Sequence, residues 1–265
     1  LGIINHLFCL VLIGVYTVFA DKVLSTDELS HQSTEELKQK LLQVTASRDE
    51  EPIKQKVLFY KNELAPIVEE LKRRNPYPRP ENQVSLVLGV WSSVWSTIPY
   101  QDLLPGRIRE QSYQIFHDNG YYANMARYSP GHKIPFLQKL SSILFAYDLM
   151  VLQKYEVREG QWDIQNIGIE QAFRLGAMPL GIEQAENWFT KVVKSREKKS
   201  SQTIESPQAP SLENLDKSTA KKLKTAFLMV PQFEHLYIDP DFRVVKTQRE
   251  AKQRPSYTIA VRLHQ

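Results

Sequence analysis

Asn75-Pro76-Tyr77-Pro78-Arg79-Pro80, followed after Glu81 by Leu86-Val87-Leu88-Gly89-Val90-Trp91-Ser92-Ser93-Val94-Trp95-Ser96-Thr97, divides the chain into two grammars. Each proline forces its predecessor out of the α region, so a helix arriving from the N-terminal side must stop here. Leu86 to Thr97 is rich in β-formers, and its odd positions set Val87, Gly89, Trp91, Ser93 and Trp95 on one face. Further β-like runs follow at Ile108–Phe116, Tyr121–Tyr128, Ile143–Leu149, Met150–Val157, Trp162–Phe173, Thr225–Val230, Phe242–Thr247 and Tyr257–Leu263. His117-Asp118-Asn119-Gly120 joins two of them as a hairpin turn with positive φ supplied by Asn-Gly. Many short strands between turn signals imply a sandwich or barrel. Ile182, Ala185, Phe189 and Val192 add one inserted helix at helical spacing.

Upstream of the prolines the period is helical. Ser33-Thr34-Glu35-Glu36 forms a capping box before Leu37, Leu41 and Leu42. Ile53, Val57, Tyr60, Leu64, Ile67, Val68 and Leu71 then draw one apolar stripe, with a kink or restart expected at Pro66. Such a stripe packs on a sheet more often than on a membrane. Leu1 to Ala20 is almost wholly apolar and reads as a signal or anchor segment outside the fold. The expected organisation is therefore residues 1–20 as that segment, 34–75 as N-terminal helices and 84–263 as a β domain. Within it, Ser195 to Lys224 carries seven basic and four acidic residues, no aromatics, and Ser206-Pro207-Gln208-Ala209-Pro210-Ser211. That composition cannot offset its ordering entropy and reads as a flexible insertion.

The whole chain of 265 residues is 42% hydrophobic and 24% charged, a globular composition. A net charge of +4 without a long basic block argues against nucleic acid, though it suits loose attraction to an anionic membrane surface. Cys9 is the single cysteine, so an internal disulfide and a cysteine-based zinc site are excluded. The six histidines have no ligand spacing, and there is no Gly-x-Ser-x-Gly, His-Glu-x-x-His, P-loop or Gly-x-Gly-x-x-Gly. No metal, cofactor or catalytic residue is expected. Asp239 and Asp241 flank Pro240 as turn residues rather than as a catalytic carboxylate pair.

Three segments together resemble the plastid lipid-associated protein (fibrillin) family. The Asn75-Pro76-x-Pro78 run leading into Leu88-Gly89-Val90-Trp91 and Thr97 resembles the opening of its β domain, with Trp95 standing where the family has Tyr. The two upstream helices match its leading helices, and Tyr237-Ile238-Asp239-Pro240-Asp241-Phe242-Arg243-Val244 is similar to its C-terminal Tyr-Leu-Asp-x-Asp-Leu-Arg-Ile element. The chain departs from it after Arg243, where Gln248 to Ser256 replaces a short Gly-Asp turn, and in the Ser195–Lys224 insertion.

The resemblance implies a mainly β, lipocalin-like antiparallel barrel preceded by N-terminal helices. It implies a non-enzymatic protein peripheral to thylakoid membranes or lipid globules of a plastid or cyanobacterium, with a structural or photoprotective role. The partner implied is an apolar lipid or prenylquinone. A barrel of about eight strands has room for one small apolar molecule. Trp91, Trp95, Tyr113 and Tyr122 are candidate lining residues, though aromatics in strands equally fill a core. The resemblance also implies that Trp91 sits at the closed end with a basic residue of a late strand across it. Arg262 is the candidate. The competing readings are a lipocalin-barrel enzyme acting on a carotenoid- or oxylipin-like substrate, and a coat protein with a filled barrel.

Overall fold

The computed structural model describes residues 26–99, 106–129, 145–175, 178–200, 217, 232–248 and 253–264. Leu1 to Ala20, Thr225 to Val230 and most of the stretch read as an insertion lie outside the described residues. Its helices are α1 (Thr26–Ser30), α2 (Thr34–Thr45), α3 (Ile53–Phe59), α4 (Ala65–Arg73), α5 (Val84–Val87) and α6 (Ile182–Ser200). The strands are β1 (Gly89–Ser96), β2 (Arg107–Phe116), β3 (Tyr121–Tyr128), β4 (Phe145–Arg158), β5 (Gln161–Leu175), β6 (Gln232–Ile238), β7 (Phe242–Gln248) and β8 (Ser256–Leu263).

Local chemistry sets the helical boundaries. Ser33 accepts the Glu36 amide at 3.2 Å while the Glu36 carboxylate accepts the Ser33 amide at 2.6 Å, the reciprocal cap that starts α2. Pro66 has no amide to donate to the preceding turn. A π-helical turn, Tyr60–Leu64, links α3 to α4 and leaves Pro66 in the first turn of α4, where its missing N–H costs nothing. After the proline run, a 3-10 turn (Pro80–Gln83) leads into α5, so Leu86 and Val87 are helical and the first strand begins only at Gly89.

The eight strands close in sequence order, β1 to β8, into an antiparallel barrel whose last strand pairs with the first. Gly120 (φ +79°) supplies the positive φ between β2 and β3, and Glu159-Gly160 (φ 51° and 72°) makes the tight turn between β4 and β5. From Phe145 on, the runs read at Ile143–Leu149 and Met150–Val157 form one strand of 14 residues, Phe145–Arg158, since no turn residue separates them. The helix α6 continues to Ser200, six residues into the stretch whose composition reads as flexible.

The outer face of this sheet is apolar where helices cover it. Leu37, Leu41, Leu64, Ile67, Val68 and Leu71 pack with Trp95 of β1 and with Leu236, Tyr237, Phe242, Val244 and Ile259 of β6–β8 on the outer face. The Tyr60–Leu71 part of the stripe read from the sequence thus seats on a sheet, while Ile53 and Val57 line a surface groove with Leu58 and Arg254. On the far side, Ala185, Phe189 and Val193 of α6 cover Tyr113, Ile115, Ala123, Met125, Met150 and Leu152. Removing a buried leucine such as Leu64 or Leu71 from these layers costs about 2–5 kcal/mol.

A buried ionic clamp ties the α2–α3 connection to the barrel. Asp49 accepts from Lys56 Nζ (3.2 Å), Arg109 Nε (2.8 Å) and the Ser96 amide (2.9 Å), and both Asp49 and Lys56 are almost fully buried.

Candidate functional site

The pairing register separates inward from outward side chains. Trp91 pairs with Arg262, Ser93 with Ala260, and then a bulge at Val94 shifts the register so that Trp95 pairs with Ile259. Because a bulge inserts one extra residue, the next side chain changes face. Trp91 and Trp95 therefore do not share a face. Trp91 is inside the barrel, packed with Phe116, Tyr122, Tyr155, Trp162 and Ile238. Trp95 is outside, under the helices, stacked near Tyr60 and edge-on to Phe59.

Tyr113 also lies outside. It sits beneath α6 and its hydroxyl donates to the Leu180 carbonyl at 2.8 Å. Of the residues proposed as lining, Trp91 and Tyr122 face in, while Trp95 and Tyr113 face out.

At the closed end Trp91 is wholly buried and its Nε1 donates to the Val87 carbonyl at 2.8 Å. Arg262 lies across it, Cζ 4.3 Å from the ring, and donates to the carbonyls of Leu86, Leu88 and Pro240. The φ of +100° requires glycine at Gly89, and a Cβ there would also stand 3.0 Å from Arg262 Nη1. Arg262 is a strut at the barrel's end, not part of its lining. Nearby, Asp239 closes the β6–β7 turn: its Oδ1 accepts the amides of Asp241 (2.9 Å) and Phe242 (2.8 Å). Its Oδ2 accepts from Lys38 (2.8 Å) and the Tyr237 hydroxyl (2.9 Å). Burial alone would raise this carboxyl, but Lys38 and the other donors outweigh it and hold it below its usual range. Asp241 instead pairs with His264. These two carboxylates are structural.

Above the aromatic floor runs a polar belt contributed by five strands. Arg243 Nη2 donates to Gln114 Oε1 (2.6 Å), and Gln114 Nε2 donates to Asn124 Oδ1 (3.0 Å). Asn124 Nδ2 donates to Gln153 Oε1 (2.7 Å), and Gln153 Nε2 to Asn166 Oδ1 (2.6 Å). Tyr122 joins with a hydroxyl that donates to Asn124 Oδ1 at 2.7 Å. Gln114, Asn124 and Gln153 each accept from the side nearer Arg243 and donate onward, so their dipoles align with the cation and polarise one another. On the side of the belt away from Trp91, the register turns Ala126, Tyr128, Tyr147, Leu149, Val151 and Ile169 inward as a largely apolar wall.

Arg243 is the centre of this arrangement. It is fully buried, with its guanidinium 4.5 Å from the Trp91 ring and 4.8 Å from that of Phe116. Burial pushes its pKa down to about 9, Tyr122 opposes that, and Arg262 adds to it; the group is still charged at neutral pH. Its Nε and Nη1 have no hydrogen-bond partner, and no Asp or Glu among the described residues pairs with it. His235 also faces in. Its Nδ1 meets Gln83 Oε1 at 3.0 Å, an oxygen that also accepts from Trp162 Nε1 (2.9 Å), so Nδ1 carries the hydrogen. Burial, reinforced by Arg243, holds its pKa well below the ordinary histidine value. Its Nε2 is unpartnered, as is the inward Ser93 hydroxyl.

Arg243, Gln114, Asn124, Gln153, Asn166 and His235 were not expected from the sequence. Their signal was present: Gln114 lies between Tyr113 and Ile115, Asn124 between Ala123 and Met125, and Arg243 between Phe242 and Val244. A polar residue between two apolar ones in successive strands marks the polar face as the inner one only once the outer face is known to be covered.

Among the described residues, no group of three or more His, Cys, Asp or Glu could hold a metal ion, and no helix is long and apolar enough to cross a membrane. No protein-family model matches the chain, and no curated protein matches it in sequence.

Proposed function

We propose that this protein is a lipocalin-like binding barrel of the plastid lipid-associated (fibrillin) type, non-enzymatic, that holds an apolar lipid or prenylquinone at a membrane or lipid-globule surface. The observation that carries the reading is the two-zoned interior: an aromatic floor and apolar wall crossed by a belt of polar side chains, some with unpartnered atoms. A barrel interior that served packing alone would be filled by side chains without buried polar atoms left over, since native cores satisfy them. Apolar walls with a few convergent polar groups are the usual make-up of a small-molecule site. Phe173, Leu175 and Met178, exposed near the end of β5, supply apolar contact for a peripheral surface. The thylakoid or plastid setting rests on the resemblance of the Asn75–Thr97 and Tyr237–Val244 segments.

Mass spectrometry of organic extracts from natively purified protein tests the reading, together with titration of the emptied full chain with oleyl alcohol. A bound apolar molecule in the extract, or saturable uptake of one per chain, supports it. A clean extract with no uptake refutes it. Turnover of the extracted molecule would favour the enzyme alternative instead.

A further inference from the structure

We propose that Arg243 is an anion-binding group inside the barrel, and that the guest is an amphiphile with a carboxylate head and an apolar tail. The inference rests on the binding-barrel reading above and narrows its guest. Three observations converge on it. Arg243 is a wholly buried cation lacking a carboxylate partner among the described residues, and two of its nitrogens have no acceptor. Buried charges in proteins are paired or coordinated, because an isolated one carries a heavy desolvation penalty. The belt sharpens the point. Gln114, Asn124, Gln153 and Asn166 are oriented head to tail away from the guanidinium, so their dipoles extend its positive potential across the interior instead of cancelling it.

The other charged or titratable groups facing Arg243 do not neutralise it. Tyr122 has its pKa raised to about 12 by burial, His235 is neutral, and Arg262 is a second cation. Beyond the belt, on the side away from Trp91, Ala126, Leu149, Val151 and Ile169 offer an apolar wall for a tail. A head that only accepts hydrogen bonds, such as a quinone carbonyl, would satisfy a nitrogen but leave the charge unpaired. A carboxylate does both.

The test is isothermal titration of the delipidated full chain at neutral pH with oleate and with oleyl alcohol, which share a tail and differ at the head. Oleate is expected to bind at least tenfold more tightly, and the preference should vanish in Arg243→Met, which keeps an unbranched side chain against Trp91 and Phe116. Equal affinity for acid and alcohol in the unmodified protein overturns the anion site while leaving the binding barrel standing, with Arg243 then a strut between rings. Retention of the preference in Arg243→Met overturns it as well. Binding of neither molecule defeats the binding-barrel reading itself, and the anion site with it. Should Arg243→Met fail to fold, the acid-to-alcohol ratio of the unmodified protein decides alone.

Discussion

Replacing Trp91 by Phe and Arg262 by Met, singly and together, measures how far the closed end depends on one stacked contact. Arg262 contributes in two ways: three donated hydrogen bonds to the carbonyls of Leu86, Leu88 and Pro240, and a guanidinium 4.3 Å from the Trp91 ring. Hydrogen bonds from a charged donor are worth about 1.5–3 kcal/mol each, but these share one side chain that is only partly buried, so their loss is not additive. Arg262→Met should cost about 2–4 kcal/mol on that basis. Trp91→Phe loses ring area and the bond to the Val87 carbonyl, about 1–3 kcal/mol. The stacking enters only the coupling. A cation on an indole ranges from about 0.5 kcal/mol in water to about 2 when desolvated, and a half-buried Arg262 lies between them, near 1. Urea unfolding of the four proteins, compared at constant m-value, reads the cycle. Coupling below about 0.5 kcal/mol would mean that the guanidinium acts on the three carbonyls alone and that stacking contributes nothing.

Asp49→Ala should destabilise by about 3–5 kcal/mol, since it strands a nearly fully buried Lys56 without its counter-charge. The double change with Lys56→Met should recover much of that in the same urea assay, and a double mutant no better than the single would contradict the stranded-charge account. Buried His235 and half-buried His117 predict a pH dependence. Folded His235 and His117 both titrate below the ordinary value of 6.5, so the unfolded chain binds the extra protons. Their contribution is complete above about 6.5 and is lost as pH falls below it, with a slope of at most about 1.4 kcal/mol per pH unit for each group. The unfolding midpoint should therefore drop between pH 7 and 5, and His235→Gln should flatten that drop. An unchanged slope would place the proton elsewhere. Glu70, held down to about 2 by Arg73 and Arg74 against its burial, and Asp239 have depressed folded values. Their stabilisation persists above their ordinary carboxylate range and is lost only in more acid solution, so the drop between pH 7 and 5 belongs to the histidines.

Local devices were legible in the sequence because they depend on neighbours in the chain. The Ser33–Glu36 box, the restart at Pro66, the end of the helices at the proline run and the Gly120 turn each follow from a few adjacent residues. The mainly β character of residues 86–263 also follows from the alternation of β-like runs and turn signals, but those runs left sandwich and barrel open and did not include Gln232–Ile238. Closure into eight strands, which sets Trp91 beside Arg262 as the resemblance implies, is a tertiary outcome. Which side of each strand faces in was a tertiary decision. Two-residue periodicity distinguishes faces only when one of them is wet, and here α2–α4 and α6 cover the outside with apolar residues. One extra residue at Val94 then reverses the parity, sending Trp95 under the helices while Trp91 stays within, and the α6 cover draws Tyr113 outward. The polar belt arises for the same reason. Gln114, Asn124, Gln153 and Asn166 come from consecutive strands, but Arg243 lies 129 residues from Gln114, and only closure of the barrel brings the buried cation to its chain of carboxamides.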